Sequence, residues 1–200
     1  MARMFRWRRG WRKWGEERNS FLKKRTKKLL FRCRALTGKV GNMEDSEPVH
    51  ISSLIPANLI VGEDDAETQA LSIMHKKAER YLLDFQWRKK ITSAYFGYGV
   101  SPIIAVFYFE IEPEAVEIDQ KLWVIVGDIP SAYIVTDRAK SPKEAIVTYI
   151  ELFRDWIAAV KAGLPITPLV PAGAPATLNN AADLEIRLDF LDQYIVPELD

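Results

Sequence analysis

What a side chain can do chemically depends on its type and its neighbours, and Asp128 is the first residue to weigh. It lies in Gly127-Asp128-Ile129-Pro130, directly after the apolar run Leu122–Val126. A carboxylate at a strand end is well placed for acid–base work. Tyr133, Asp137 and Arg138 follow it closely and would complete a polar pocket, which is the basis of an enzymatic reading. The competing reading is structural. Asp128 closes its turn through its own side chain, as Asp does beside Gly and Pro, and Asp137 and Arg138 are solvated turn residues before a helix.

Patterned reaction machinery is lacking. The chain has no Gly-x-Gly-x-x-Gly run, no phosphate loop and no Gly-x-Ser-x-Gly elbow. His75 and Glu79 are neighbours at i and i+4, but two ligands are too few for a metal, and no His-Glu-x-x-His pattern accompanies them. His50 is the only other histidine. Cys33, the single cysteine, has no histidine near it and is not read as a nucleophile; with one thiol no intrachain disulfide forms, which fits a reducing cytoplasm. Tyr95, Tyr98 and Tyr108, with Gly97 and Gly99, would line a shallow site, although aromatic residues on strands more often serve packing. No cofactor and no metal are expected.

Charge is distributed unevenly. Residues 1–43 carry 15 lysines and arginines against 2 acids, whereas residues 44–200 carry 13 against 25, so a net of +1 conceals a basic arm and an acidic remainder. In the arm, Trp7, Trp11 and Trp14 recur at helical spacing among cations. That pattern suits an amphipathic segment on an anionic membrane surface, or nucleic-acid contact with arginines on phosphates and tryptophans stacked on bases. The plainer reading is a disordered arm, or a natural chain that starts at Met43, where the composition changes abruptly. Residues 44–63 form an acidic linker broken by Pro56 and Gly62. No apolar run approaches the roughly 20 residues that span a bilayer.

The elements that must position these residues begin at 64. Asp64 and Asp65 cap a helix from about 66 to 91, with Leu71, Met74, Ala78, Leu82, Phe85 and Ile91 on its stripe. Ala94–Tyr98 and Ile103–Ile111 read as strands; Ala105, Phe107, Phe109 and Ile111 face one way, and Ile104, Val106, Tyr108 and Glu110 the other. Leu122–Val126 and Ala132–Thr136 are two more strands. Ser141-Pro142-Lys143-Glu144 is a capping box with proline at the first helical position. The helix it opens carries Ile146, Tyr149, Ile150, Phe153, Trp156 and Ile157, and ends at Gly163 before Pro165. A proline-rich connector leads to a last helix from about 181 to 195.

The run Leu122-Trp123-Val124-Ile125-Val126-Gly127-Asp128-Ile129-Pro130, with Tyr133 and Ser141-Pro142-Lys143-Glu144-Ala145, resembles a family of small bacterial domains of unknown function. That family carries a Trp-Val-Ile-x-Gly-Asp-x-Pro-x-x-Tyr run and a Pro-x-Glu-Ala helix start. The resemblance covers about a fifth of the chain, from Lys121 to Gly163. It implies a bacterial source and supports the strand-turn-strand-helix reading; it supplies no catalytic residue.

Together these readings predict one α+β domain over 64–200. Its mainly antiparallel sheet of about four strands has helices packed on one face, in the order α-β-β-β-β-α-α. The function expected is that of a non-enzymatic, cytoplasmic protein-binding module of antidote or regulatory type. It would meet a basic protein through the acids Glu110, Glu112, Glu114, Glu117 and Asp119.

Overall fold

The computed structural model describes residues 49, 51–85, 88–113, 120–167 and 169–199. The arm 1–43, with Trp7, Trp11, Trp14 and Cys33, lies outside them, as do His50, Trp87, Glu114, Glu117 and Asp119.

Among the described residues the strands and α-helices follow in this order: β1 (Ile55–Pro56), α1 (Asp65–Leu83), β2 (Arg88–Val100), β3 (Ile104–Pro113), β4 (Lys121–Gly127), β5 (Ala132–Val135), α2 (Pro142–Ala162) and α3 (Leu178–Phe190). The strands form one sheet in sequence order, and every neighbouring pair is antiparallel. From α1 onward this is the predicted α+β order. The two-residue β1, which pairs with Tyr95 and Phe96, adds a fifth strand.

Local signals explain the helix starts. The Asp64 carboxylate accepts the Glu67 N–H at 2.8 Å, and the Glu67 carboxylate accepts the Glu63 N–H at 2.9 Å. At α2, Ser141 Oγ accepts the Glu144 N–H while the Glu144 carboxylate accepts the Lys140 N–H. Gly163 closes α2 with φ 65°, the left-handed conformation glycine adopts freely. Thr177 caps α3, its hydroxyl accepting the Asn180 N–H.

The first helix is shorter than its periodicity predicts. It ends at Leu83, and Ile91 pairs with Ile111 in the β2–β3 hairpin. Apolar residues at helical spacing do not prevent a strand when a long partner strand is available. Three register irregularities break β2, and the last places Gly97 opposite Trp123 and Pro142, where a Cβ would come within 2.9 Å of the proline ring.

The helices lie on both faces of the sheet, where one face was expected. On the first face, Leu71, Met74, Ala78 and Leu82 of α1 pack on Phe96, Ala105, Phe107, Phe109, Leu122, Val124 and Val126. The alternate residues Ile104, Val106, Tyr108, Trp123 and Ile125 are equally buried. They lie under α2, which buries Ile146, Tyr149, Ile150, Phe153, Trp156 and Ile157. The cause is in β4: all five residues from Leu122 to Val126 are buried, so neither side of that strand tolerates water. Burial of α2's large side chains, at roughly 1.5–3 kcal/mol each, gives a gross term on the order of 10 kcal/mol. α3 packs beside α2 through Leu184 and Leu188, and Arg154 and Lys161 of α2 ion-pair with Asp189, Asp192 and Glu185.

Candidate functional site

Asp128 sits where the two helical layers meet one end of the sheet. Gly127 precedes it because the β2–β3 turn closes directly over that backbone: a Cβ at 127 would collide with the Ile103 carbonyl. The close approach lets the Asp128 N–H donate to the carbonyls of both Pro102 and Ile103, each at 3.1 Å. The Ser101–Pro102 bond in this turn is cis.

Two cations reach this corner from opposite sides. From α1, Lys77 Nζ donates to the Gly127 carbonyl at 2.6 Å. Burial lowers the Lys77 pKa and the Asp128 charge works against that shift. From α3 comes Arg187, only 6 % exposed, whose Nη1 donates to the Asp183 carbonyl at 2.8 Å. Burial lowers its pKa too, opposed first by Asp128 and then by Asp183. Beneath them, the Tyr149 hydroxyl donates to the Pro130 carbonyl at 2.8 Å, and full burial pushes the phenol well above its ordinary pKa. Asp128 itself is exposed. The arrangement is that of a counter-ion balancing one cation from each layer.

The other members of the expected pocket lie elsewhere. Tyr133 is on the first face, with its ring edge-on to Phe85 at 5.4 Å and its backbone hydrogen-bonded to the Tyr81 phenol. Asp137 and Arg138 follow the far end of β5 and are exposed, and Lys140 approaches Asp137 at 3.9 Å. The four residues of β5 separate them from Asp128 by roughly 13 Å at the usual strand rise. Asp128 is therefore brought together with Lys77, Arg187 and Tyr149 rather than with Tyr133, Asp137 and Arg138.

Of the five acids expected to meet a partner, two lie within the described residues. Glu110 and Glu112 continue the Tyr108 side of β3. Glu110 faces Lys121 across the ladder, with 3.9 Å between charges, and Glu112 faces Lys90. Exposed pairs of this kind contribute little energy, but they offset local negative charge.

His75 is built into the first face. Its ring stacks on Phe109 at 5.9 Å and tilts against Phe107 at 5.2 Å. Burial lowers its pKa, with the Glu79 carboxylate at 3.7 Å opposing. Among the described residues no group of three or more His, Cys, Asp or Glu side chains could hold a metal ion. Tyr95 and Tyr108 do face one another, 6.0 Å apart, on the second face, where Trp123 packs edge-on to Tyr108 at 5.2 Å.

A concavity of about 210 Å³ lies between α2 and α3, floored by Ile157, Ala158 and Leu188 and rimmed by the ion pairs of Arg154 and Lys161. No protein-family model, no curated protein sequence and no solved structure matches the chain.

Lys77, Arg187 and the Tyr149 hydroxyl are the participants that sequence reasoning missed. Arg187 left one signal: it falls between Leu184 and Leu188 on the side of α3 that must be apolar, and an arginine there needs a buried partner.

Proposed function

We propose that this is a non-enzymatic binding module that recognises a basic protein partner, acting in the bacterial cytoplasm as an antidote or regulator. The observation that carries the reading is electrostatic. Residues 142–199, which hold α2, α3 and the chain that follows, have eight carboxylates and four cations, and one of the four, Arg187, is buried. Such a surface steers a basic partner and disfavours acidic ones. The geometry at Asp128 supports the same view, since its carboxylate serves as a counter-ion in an exposed turn. The single cysteine is in keeping with a reducing compartment, and among the described residues no helix is long and apolar enough to cross a membrane.

Retention of partners by the immobilised full chain, at low and high ionic strength, tests the reading. A basic protein held at low salt and released as salt rises is the expected result. A chain that holds no protein at low salt ends it. Measuring liposome and DNA binding with and without residues 1–42 tests the separate association expected of the arm; equal binding would remove that alternative.

A further inference from the structure

We propose that the outer side of α3 is the docking line for an amphipathic helix of the partner, one with apolar residues along one side and lysines or arginines at its borders. This deepens the reading above and rests on it. Leu178, Ala182, Ile186, Phe190 and Tyr194 recur every four residues, so they form one row slanting across the solvent side of α3 and the turn beyond it. Leu178, Ile186 and Tyr194 are 65, 62 and 42 % exposed. The core side of the same helix is separately filled by Ala181, Leu184 and Leu188. Single exposed apolar residues are ordinary on any surface; a continuous row marks a place of contact.

The backbone prolongs the row. From Leu191 to Ile195 the helix widens to a π turn, in which the Val196 N–H donates to the Leu191 carbonyl five residues back. The wider turn keeps Leu191 and Ile195 buried and lets the Phe190 and Tyr194 rings meet at 5.2 Å on the outside. π turns of this kind recur at functional sites.

Charge names the occupant. Asp183 and Asp189 stand three residues before and after Ile186, and Asp192 follows. Arg154 is shared between Asp189 and Asp192, so one guanidinium meets two carboxylates and the border keeps net negative charge. An apolar row with acidic borders is complementary to a helix with i, i+4 anchors and basic flanks.

The test uses the full chain and a fluorescein-labelled helical peptide of leucine and lysine, with all leucines on one side, read by fluorescence anisotropy at low ionic strength. The wild-type chain binds it. Ile186→Lys weakens binding about tenfold or more, the scale of losing one anchor, about 1.4 kcal/mol. Asp183→Asn with Asp189→Asn weakens it and flattens its salt dependence. Ile73→Lys, at an equally exposed apolar site on α1, leaves it unchanged. If wild type and Ile186→Lys bind alike, the docking line is wrong while recognition of basic partners stands. If the wild type does not bind, both fall. A concentration-dependent dimer abolished by Ile186→Lys would give the row to a second copy and overturn the assignment.

Discussion

The two sides of the sheet are built from different materials. Under α1 the packing is mostly hydrocarbon and phenyl ring, as at Leu71, Met74, Phe96, Phe107, Phe109 and Val124, with the His75 ring stacked on Phe109 and the Tyr81 phenol bonded to the Tyr133 backbone. Under α2 the large residues have polar tips. Trp123 Nε1 donates to the Ala139 carbonyl at 3.0 Å, and the Tyr149 hydroxyl donates to that of Pro130. The first side is held by shape and desolvation, which tolerate volume-conserving exchange. The second adds directional bonds, and both hold loops flanking β5, so the aromatic layer fixes the edge strand from its two ends. The difference teaches that β5, with four residues, owes its place to side chains beneath it as well as to its ladder with β4.

Truncation gives the largest expected effect and treats the two sides alike. Phe107→Ala on one and Trp123→Ala on the other each cost about 3–5 kcal/mol, read by urea unfolding; a loss below about 1 kcal/mol at either would mean that layer is not packed as described. Removal of a single oxygen sharpens the account of the second side, where one buried hydroxyl is bonded and another is not. Tyr149→Phe leaves the buried Pro130 carbonyl without its donor and costs about 1–3 kcal/mol. Among the described residues the buried Tyr108 hydroxyl has no hydrogen-bond partner, so Tyr108→Phe is expected to be neutral or stabilising. Equal losses for the two variants, in the same urea experiment, would mean that the Tyr149 bond contributes nothing of its own.

The third expectation concerns the first side and shows only in acid. His75 has a lowered pKa in the folded chain, so the unfolded chain takes up its proton first as pH falls. The stability this contributes is complete above about pH 6.5, the ordinary histidine value. It is lost as pH falls through the lower native pKa. His75→Leu should flatten the stability profile over that interval; an unchanged slope would mean that the ring titrates as freely as one in water.

Much of this was legible in the sequence, and the reasons are local. Ser141, Pro142, Glu144 and Gly163 set the bounds of α2 because caps and left-handed glycines act within a few residues. The alternation in β3 assigned each side chain to its face for the same reason. The end of α1 was not legible: from Leu82 to Ile91 the apolar spacing suits a helix, and only pairing with a strand some twenty residues away decides otherwise. Helices on both faces, where one was expected, have a sequence counterpart in the five apolar residues in a row from Leu122 to Val126, a pattern that one covered face does not satisfy. The surroundings of Asp128 were hidden because Lys77 and Arg187 are each about fifty residues or more away in sequence, and no local pattern records which cation will meet which acid.

The margins of the sheet have a bearing on solubility. One is formed by β5. The other is β2, covered for two positions by a β1 that contains Pro56 and interrupted along its length by three irregularities. A foreign strand arriving at either margin finds a short or crooked row of amides, without the long straight template on which fibrils grow. A chain this rich in aromatic β structure can therefore stay dispersed at concentrations where a flat-edged sheet of the same composition would stack.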